Sequence, residues 1–402
     1  MKIVIWGCGY LSRLFEDYIR QDVEVVAYVD NNEKYWGGGI WNGRCRVPII
    51  SPKILKNISF EYCLIAINGY QAVVEQCLKV LKIPEKKILL LAHVFEWNID
   101  LIKNIFDENI LGNTRNYHIE GIGIDLGEDH NLPSLQRMYK MYDKFFPYIG
   151  EMTRKKNGKY ILDIGANVGD TLAAMWNHTD DDFIVIEPVR EFFELLLQNV
   201  ERLGNTGRVY AERAFITDKT EELYQVKRGK GATAHKERIN INTDEVIPNQ
   251  SVDGLIKSKG IAFEDVDLLK IDTDGFDADC IFAAKELLRD GNALLYWENY
   301  VETFAQYQQY KDAYALLVNE NYTSFFCFDN WGNYLCKADK EILISIMDYV
   351  RRTYTGCIGN TFGYFDVLAC KSEDRELCEN IIQKYAGQYP LWRITVDEVA
   401  KR

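Results

Sequence analysis

Apolar residues along this chain gather in short runs, and the runs fall into two series. KIVIW, VEVVAYVD, EYCLIAING and KKILLLA form the first. Stretches at helical spacing lie between them, over residues 10–20 and 71–81. Short uninterrupted apolar runs separated by amphipathic helices predict parallel strands covered on both faces. The first series therefore predicts an open α/β unit that ends near residue 95. Inside it, NNEKYWGGGIWNGRCRVP reads as a loop, with Gly37, Gly38 and Gly39 in succession.

Residues 96–158 break the rhythm. They are rich in Asn, Asp, Tyr and Lys, with a cluster of Gly121, Gly123 and Gly127 and an aromatic helical stretch, MYKMYDKFFPYIGEM. That many aromatics predict a helical connector packed on the second domain, not a solvated linker. The second series opens with KYILDIGANVGDT, which reads as strand, Gly-rich turn and helix. It continues through DDFIVIEP, GRVYAERAF, VDLLKIDTDG and ALLYWENY, and SFFCFD and FGYFDVLACK predict a closing pair of strands. VREFFELLLQNVERL is the helix after its second strand. A polar stretch, TDKTEELYQVKRGKGATAHKERININTDE, interrupts the alternation before the fourth. The fold class expected is α/β, with two doubly wound Rossmann-like domains, 1–95 and 159–402, joined by 96–158.

Composition narrows the function. The 402 residues suit two domains at ~150 residues each. A formal net charge of -13 disfavours nucleic acid or an anionic membrane as the main partner, since phosphates need a basic face. Ten cysteines stand widely spaced, with no C-x-x-C pair, which suits a reducing compartment and predicts a cytoplasmic protein. The first residues read as a strand and not as a signal peptide. No apolar stretch approaches the ~18 residues of a membrane helix. A small-molecule acceptor is the expected partner, and an oligomer is compatible with the sequence.

Two Gly-rich loops compete for the chemistry. The first is Gly7-Cys8-Gly9-Tyr10-Leu11-Ser12, close to G-x-G-x-x-G with Ser12 at the third glycine, and Asp30 lies 23 positions after Gly7. That separation suits an acid on a ribose hydroxyl. In the second, Asp163 ends a strand, Gly165, Ala166, Asn167, Val168 and Gly169 turn, and Asp170 opens a helix. No Lys-Ser/Thr comes after the last glycine, so this is not a triphosphate loop. An acid before the loop suits a ligand with a cationic head, such as the sulfonium and ammonium of S-adenosylmethionine. Glu187 lies 22 positions after Gly165, where a βαβ unit places the acid that accepts from both ribose hydroxyls.

LDIGANVGDT, FIVIEPV, AFITD, SVDGL and LLKIDTDGFD, in that order, resemble the FkbM family of S-adenosylmethionine-dependent methyltransferases. The resemblance runs from about residue 159 to 299. It implies a seven-stranded class I methyltransferase fold and O-methyl transfer, often to a sugar or natural-product hydroxyl. By position it assigns Asp163, Gly165, Asn167, Gly169, Asp170 and Glu187 to the cofactor and places the adenine near residues 213–215, at Ala214. Asp274 and Asp277 stand where the family more often has Glu. The first series resembles, more weakly, the Rossmann-like domain at the front of some sugar-modifying enzymes of bacterial glycan pathways, through WGCGYLSR, AYVDNN and RVPIISPKIL.

An aliphatic hydroxyl needs a base or a metal to lose its proton. His235, in the polar insertion, is one candidate. Asp272 and Glu298, at the ends of the fourth and fifth strands, are the others: either Glu298 binds the hydroxyl directly while Asp272 orients the methionine ammonium or a helix amide, or the two, with Asn299, are ligands of Mg²⁺, which is possible but not favoured. Asp277 is expected to cap the helix it opens. Trp331 and Tyr334, in a polar turn, are placed to stack on a sugar ring. The alternative is NAD or nucleotide-sugar binding by the first loop, against which stands the lack of a Tyr-x-x-x-Lys pair.

Overall fold

Side chains alternate across a strand, so each apolar run feeds two cores, one on either face of its sheet. The computed structural model describes residues 1–9, 12, 19–42, 45–67, 70–90, 105–106, 114–127, 130–204, 206–219, 224–228, 234–238, 247–354 and 363–388, with backbone alone for 138, 224–228, 234–238, 353–354 and 388.

The first sheet consists of β1 (Lys2–Trp6), β2 (Glu24–Val29), β3 (Gly39–Trp41), β4 (Arg46–Ile50), β5 (Tyr62–Ile65) and β6 (Ile88–Leu90), in the order β3-β4-β2-β1-β5-β6. All neighbours are parallel except β3 and β4. Ile3 and Ile5 enter one core and Val4 and Trp6 the other, none more than 1% exposed. The pair β3–β4 arises inside the segment expected to be a loop. A three-residue strand is too short to show a period, so the pattern gave no sign of it.

Residues 114–158 add a hairpin, β7 (Tyr117–Ile119) with β8 (Ile122–Ile124), to the helices Leu132–Met138 and Phe146–Thr153. Phe145, Phe146, Ile149 and Met152 share a core with Ile161, Phe183 and Val185 of the second sheet. Leu135 and Tyr139 pack against the first sheet's core.

The second series contributes β9 (Tyr160–Ile164), β10 (Asp182–Ile186), β11 (Val209–Glu212), β12 (Phe215–Ile216), β13 (Tyr224–Arg228), β14 (Ala234–Arg238), β15 (Asn249–Gln250), β16 (Val266–Ile271), β17 (Leu294–Asn299), β18 (Tyr322–Asp329), β19 (Tyr334–Ala338) and β20 (Phe365–Lys371). The main sheet has the order β11-β10-β9-β16-β17-β20-β18-β19. The first five of these are mutually parallel, and β20 runs antiparallel between β17 and β18. This is the class I α/β fold, with one strand more than the seven expected. The eighth, β19, returns as a hairpin on β18 through a polar turn. The polar insertion holds a second hairpin, β13 with β14, and β12 pairs with β15. Among the described residues, no helix is long and apolar enough to cross a membrane.

One buried amide fastens the connector to the second domain. Asn199, 2% exposed on the helix Arg190–Arg202, accepts from Asp125 N at 2.7 Å. It donates to Asp125 O at 2.8 Å and to Val168 O, in the glycine loop, at 2.7 Å. Asn199→Leu keeps the volume but strands an N–H and two carbonyls in the core. It is expected to lower the stability by about 3 kcal/mol, read as a lower urea midpoint at unchanged slope.

Candidate active site

The two Gly-rich loops are held by different physics. In the first, a side chain at Gly7 (φ +112°) would place its Cβ 2.4 Å from Ile67 Cγ2 and 2.8 Å from Ala66 O. Packing against the end of β5 demands that glycine. Ser12 is 3% exposed and its hydroxyl donates to Gly9 O at 2.8 Å, so it closes its own turn. Asp30 does the same in the next loop, accepting from Asn32 N at 2.8 Å.

In the second loop, a Cβ on Gly165 (φ +77°) would fall 1.7 Å from Asp272 O. The ends of β9 and β16 therefore touch through bare backbone, and no larger residue fits. The loop then doubles back under hydrogen bonds. Gly165 N and Ala166 N both donate to Ile186 O at 2.9 and 3.0 Å, and Gly169 N donates to Ala166 O at 2.8 Å. Glu187, at the end of β10, accepts from Asn167 N at 2.9 Å and Val189 N at 2.7 Å. It is 4% exposed, and burial pushes its carboxyl up to about 8 against those two donors. Ala214 is 1% exposed in the core beside Ile186 and Ile216, and Arg213 next to it donates to Pro188 O at 3.2 Å.

Beneath the loop lies Lys270, a charge inside the block LLKIDTDGFD to which spacing alone gives no role. Its ammonium is 2.9 Å from Asp163, 3.6 Å from Asp272 and 3.3 Å from Gly165 O. Asp163 is fully buried, and its visible partner is this ammonium. Asp170, at the start of the helix Asp170–Met175, is raised by burial against the pull of Lys270.

At the carboxyl ends of β16 and β17, Asp272 and Glu298 come together, as expected of neighbouring strands. Asp277 does not cap its helix with its side chain as anticipated. It accepts from Thr273 Oγ1 at 2.9 Å and from Glu298 N at 3.2 Å, tying the two strand ends together, and burial pushes it up to about 7. Asn299, 1% exposed, accepts from the Tyr314 hydroxyl.

Asp272 and Glu298 line a cavity that opens to solvent. Its other polar walls come from elsewhere in the chain: Tyr142 and Asp143 from the connector, Asn330 from the β18–β19 turn, and Tyr364 and Asp366 from the start of β20. Burial pushes Asp143, Glu298 and Asp366 well above the usual carboxylate range, and neighbouring carboxyls push further. Sequence reasoning named Glu298 but missed Tyr142, Asp143, Asn330, Tyr364 and Asp366. For Asp366 there was a signal, an acid interrupting the apolar run FDVLAC. Trp331, expected to stack on a sugar, has one face covered by Tyr139, with ring centroids 3.7 Å apart. Tyr334 packs edge-on against Phe328 at 5.6 Å. The backbone of His235 lies on β14 opposite Lys227, and its side chain is outside the described part. Among the described residues, no group of three His, Cys, Asp or Glu side chains is placed to hold a metal ion.

No curated protein matches the chain. An O-methyltransferase from Bacillus cereus, solved in complex with SAH, is similar at 13% identity over 57% of this chain and 80% of that one, with a TM-score of 0.33. The O-methyltransferase TomG from Streptomyces achromogenes, involved in tomaymycin synthesis and solved with SAM, is similar at 11% identity over 57% and 79%, with a TM-score of 0.33. Residues 1–89 match the family model C2185-like, N-terminal, which is the likeness found for the first domain. Residues 163–324, from Asp163 at the end of β9 to the middle of β18, match the Methyltransferase FkbM domain. Residues 163–324, with the glycine loop and the ends of β16 and β17, thus resemble the FkbM methyltransferase domain, and that match makes this part of the chain a methyltransferase.

Proposed function

We propose that the chain is a cytoplasmic enzyme that methylates a hydroxyl of a sugar, glycan or related small molecule, with S-adenosylmethionine as donor. The observation that carries this reading is the double position of Asp272. It stands 3.6 Å from Lys270, which supports the glycine loop, and it also walls the cavity. Donor and acceptor sites so placed share a wall, as in-line attack requires.

When bound, S-adenosylmethionine supplies a methyl group activated by its sulfonium charge. The residues fit that donor by their chemistry. Glu187 stands beside the loop with lone pairs left for ribose hydroxyls. Asp163, Gly165, Asn167, Gly169, Asp170 and Ala214 form the rest of the cradle, and carboxyls around it favour a cation. Asp272 and Glu298 orient the acceptor hydroxyl. As the new C–O bond forms and the S–C bond breaks, a carboxylate takes the hydroxyl proton and later returns it to solvent. The products are a methyl ether and the neutral thioether. His235, on the insertion hairpin, is the second candidate for that proton.

Calorimetry is expected to show S-adenosylmethionine binding to the wild-type chain, weakened tenfold or more in Glu187→Ala, and no heat with NAD; binding of NAD alone would sink the reading. Glu298→Gln is expected to lower kcat about 100-fold with donor affinity unchanged, and activity to survive EDTA. If His235→Ala abolishes turnover and Glu298→Gln does not, the proton goes to the histidine.

Stability should report Glu187. Its folded carboxyl keeps a proton to about 8, against an ordinary value of 4.5. Between those values the folded state binds more protons than the unfolded one, so stability falls as pH rises through that window. Thermal melts of the free chain from pH 5 to 8 are expected to shift downward, and Glu187→Gln to shift less.

A further inference from the structure

The cavity gathers more carboxyl groups than a donor at the glycine loop would engage. Glu298 and Asp366 lie directly opposite each other in the antiparallel β17–β20 register. Their side chains leave the sheet on one face, about 5 Å apart, where like charges repel. Both line the cavity, and Asp143 joins them from the connector. Among the described residues, no lysine or arginine forms an ion pair with either strand carboxyl, and the partner of Asp366 is the Tyr296 hydroxyl. In the sheet order, β20 lies three spacings from β9, which carries the loop. At ~4.8 Å per spacing that is about 14 Å, so this charge stands apart from a cation held at the loop.

Asn330 provides an independent sign of a ligand. It lines the same cavity, is 6% exposed, and its Oδ1 has no hydrogen-bond donor. Its turn is fixed by Asp329 Oδ1, which accepts from Trp331 N at 3.0 Å and Asn333 N at 2.8 Å. Among the described residues this buried carbonyl oxygen has no donor, a place that a ligand N–H can fill.

We infer that the acceptor is a vicinal amino alcohol of the amino-sugar class, with its ammonium held by Asp366, Asn330 Oδ1 and Asp143 and its neighbouring hydroxyl presented to Glu298. An ammonium has three N–H donors and no acceptor, which matches a wall of acceptors. The spacing of Glu298 and Asp366 suits two adjacent substituents on one ring. The protonated nitrogen has no lone pair, so the methyl group goes to oxygen. The inference rests on the methyltransferase reading above.

Calorimetry on the full chain loaded with S-adenosylhomocysteine tests it, with glucosamine and galactosamine as probes against their N-acetyl and 2-hydroxy counterparts. The amines are expected to bind about 10- to 100-fold more tightly, the range for charge-assisted hydrogen bonds. Asp366→Asn and Asn330→Leu should each cut that preference to within a few-fold while leaving S-adenosylhomocysteine affinity and the melting temperature unchanged. Equal binding of amine and acetamide, no binding of either amine, or a preference that persists in Asp366→Asn overturns the inference. So does Mg²⁺ binding that excludes the amine. If S-adenosylhomocysteine fails to bind while the amine preference persists on the unloaded chain, the donor reading falls, and with it the acceptor role, and the amine site alone stands.

Discussion

The ammonium of Lys270 sits 1% exposed between two carboxylates, under the carbonyl of Gly165. Burial works against its charge, and Asp163 and Asp272 outweigh that cost and hold it charged above the ordinary lysine range. Three pieces of chain meet at this atom: the end of β9, the glycine loop and the end of β16. Loss of one partner from such a buried pair leaves an uncompensated charge, a cost of about 3–5 kcal/mol. The position of the loop, and with it the shared wall at Asp272, depends on that charge balance. The contact of Gly165 with Asp272 O shows how little slack remains, since not even a methyl group fits there.

Much of this was legible in the sequence where the signal is local. Both α/β series, the two loops, the strand ends at Asp272 and Glu298 and the closing pair of strands can be read from runs and spacing. What escaped is what needs pairing across long separations. β3 and β19 are short edge strands whose partners, not their own periodicity, make them strands. Lys270 reads as a charge in an apolar run, and its reason is Asp163, which lies 107 positions earlier. The acceptor wall draws Tyr142, Asn330 and Asp366 from three distant segments, none with a motif. Trp331 shows the opposite error, since a polar-looking turn concealed Tyr139 already stacked on the ring.

Four of the residues that carry the FkbM resemblance stand close together in sequence. Asp163, Gly165, Asn167 and Glu187 lie within one βαβ unit, and residues 163–324 are the part that matches the FkbM domain. Asp366 and Tyr364 lie beyond it, and Tyr142 and Asp143 before it, so the cavity is half inside and half outside the matched stretch. N-terminal of both, residues 1–89 hold a Rossmann-like sheet whose own loop is closed by packing and by Ser12.

The β18–β19 hairpin has a meaning for how such an enzyme can diversify. Its strands lie at the far edge of the sheet from β10 and Glu187, and its turn reaches the cavity through Asn330 and Gly332. Edge hairpins exchange residues, and even length, without disturbing the pairing of central strands. Substitutions in this turn can therefore reshape one wall of the cavity without touching the buried lysine or the glycine loop. A new cavity wall is open to a few changes at one margin of the sheet, and a new glycine loop is not.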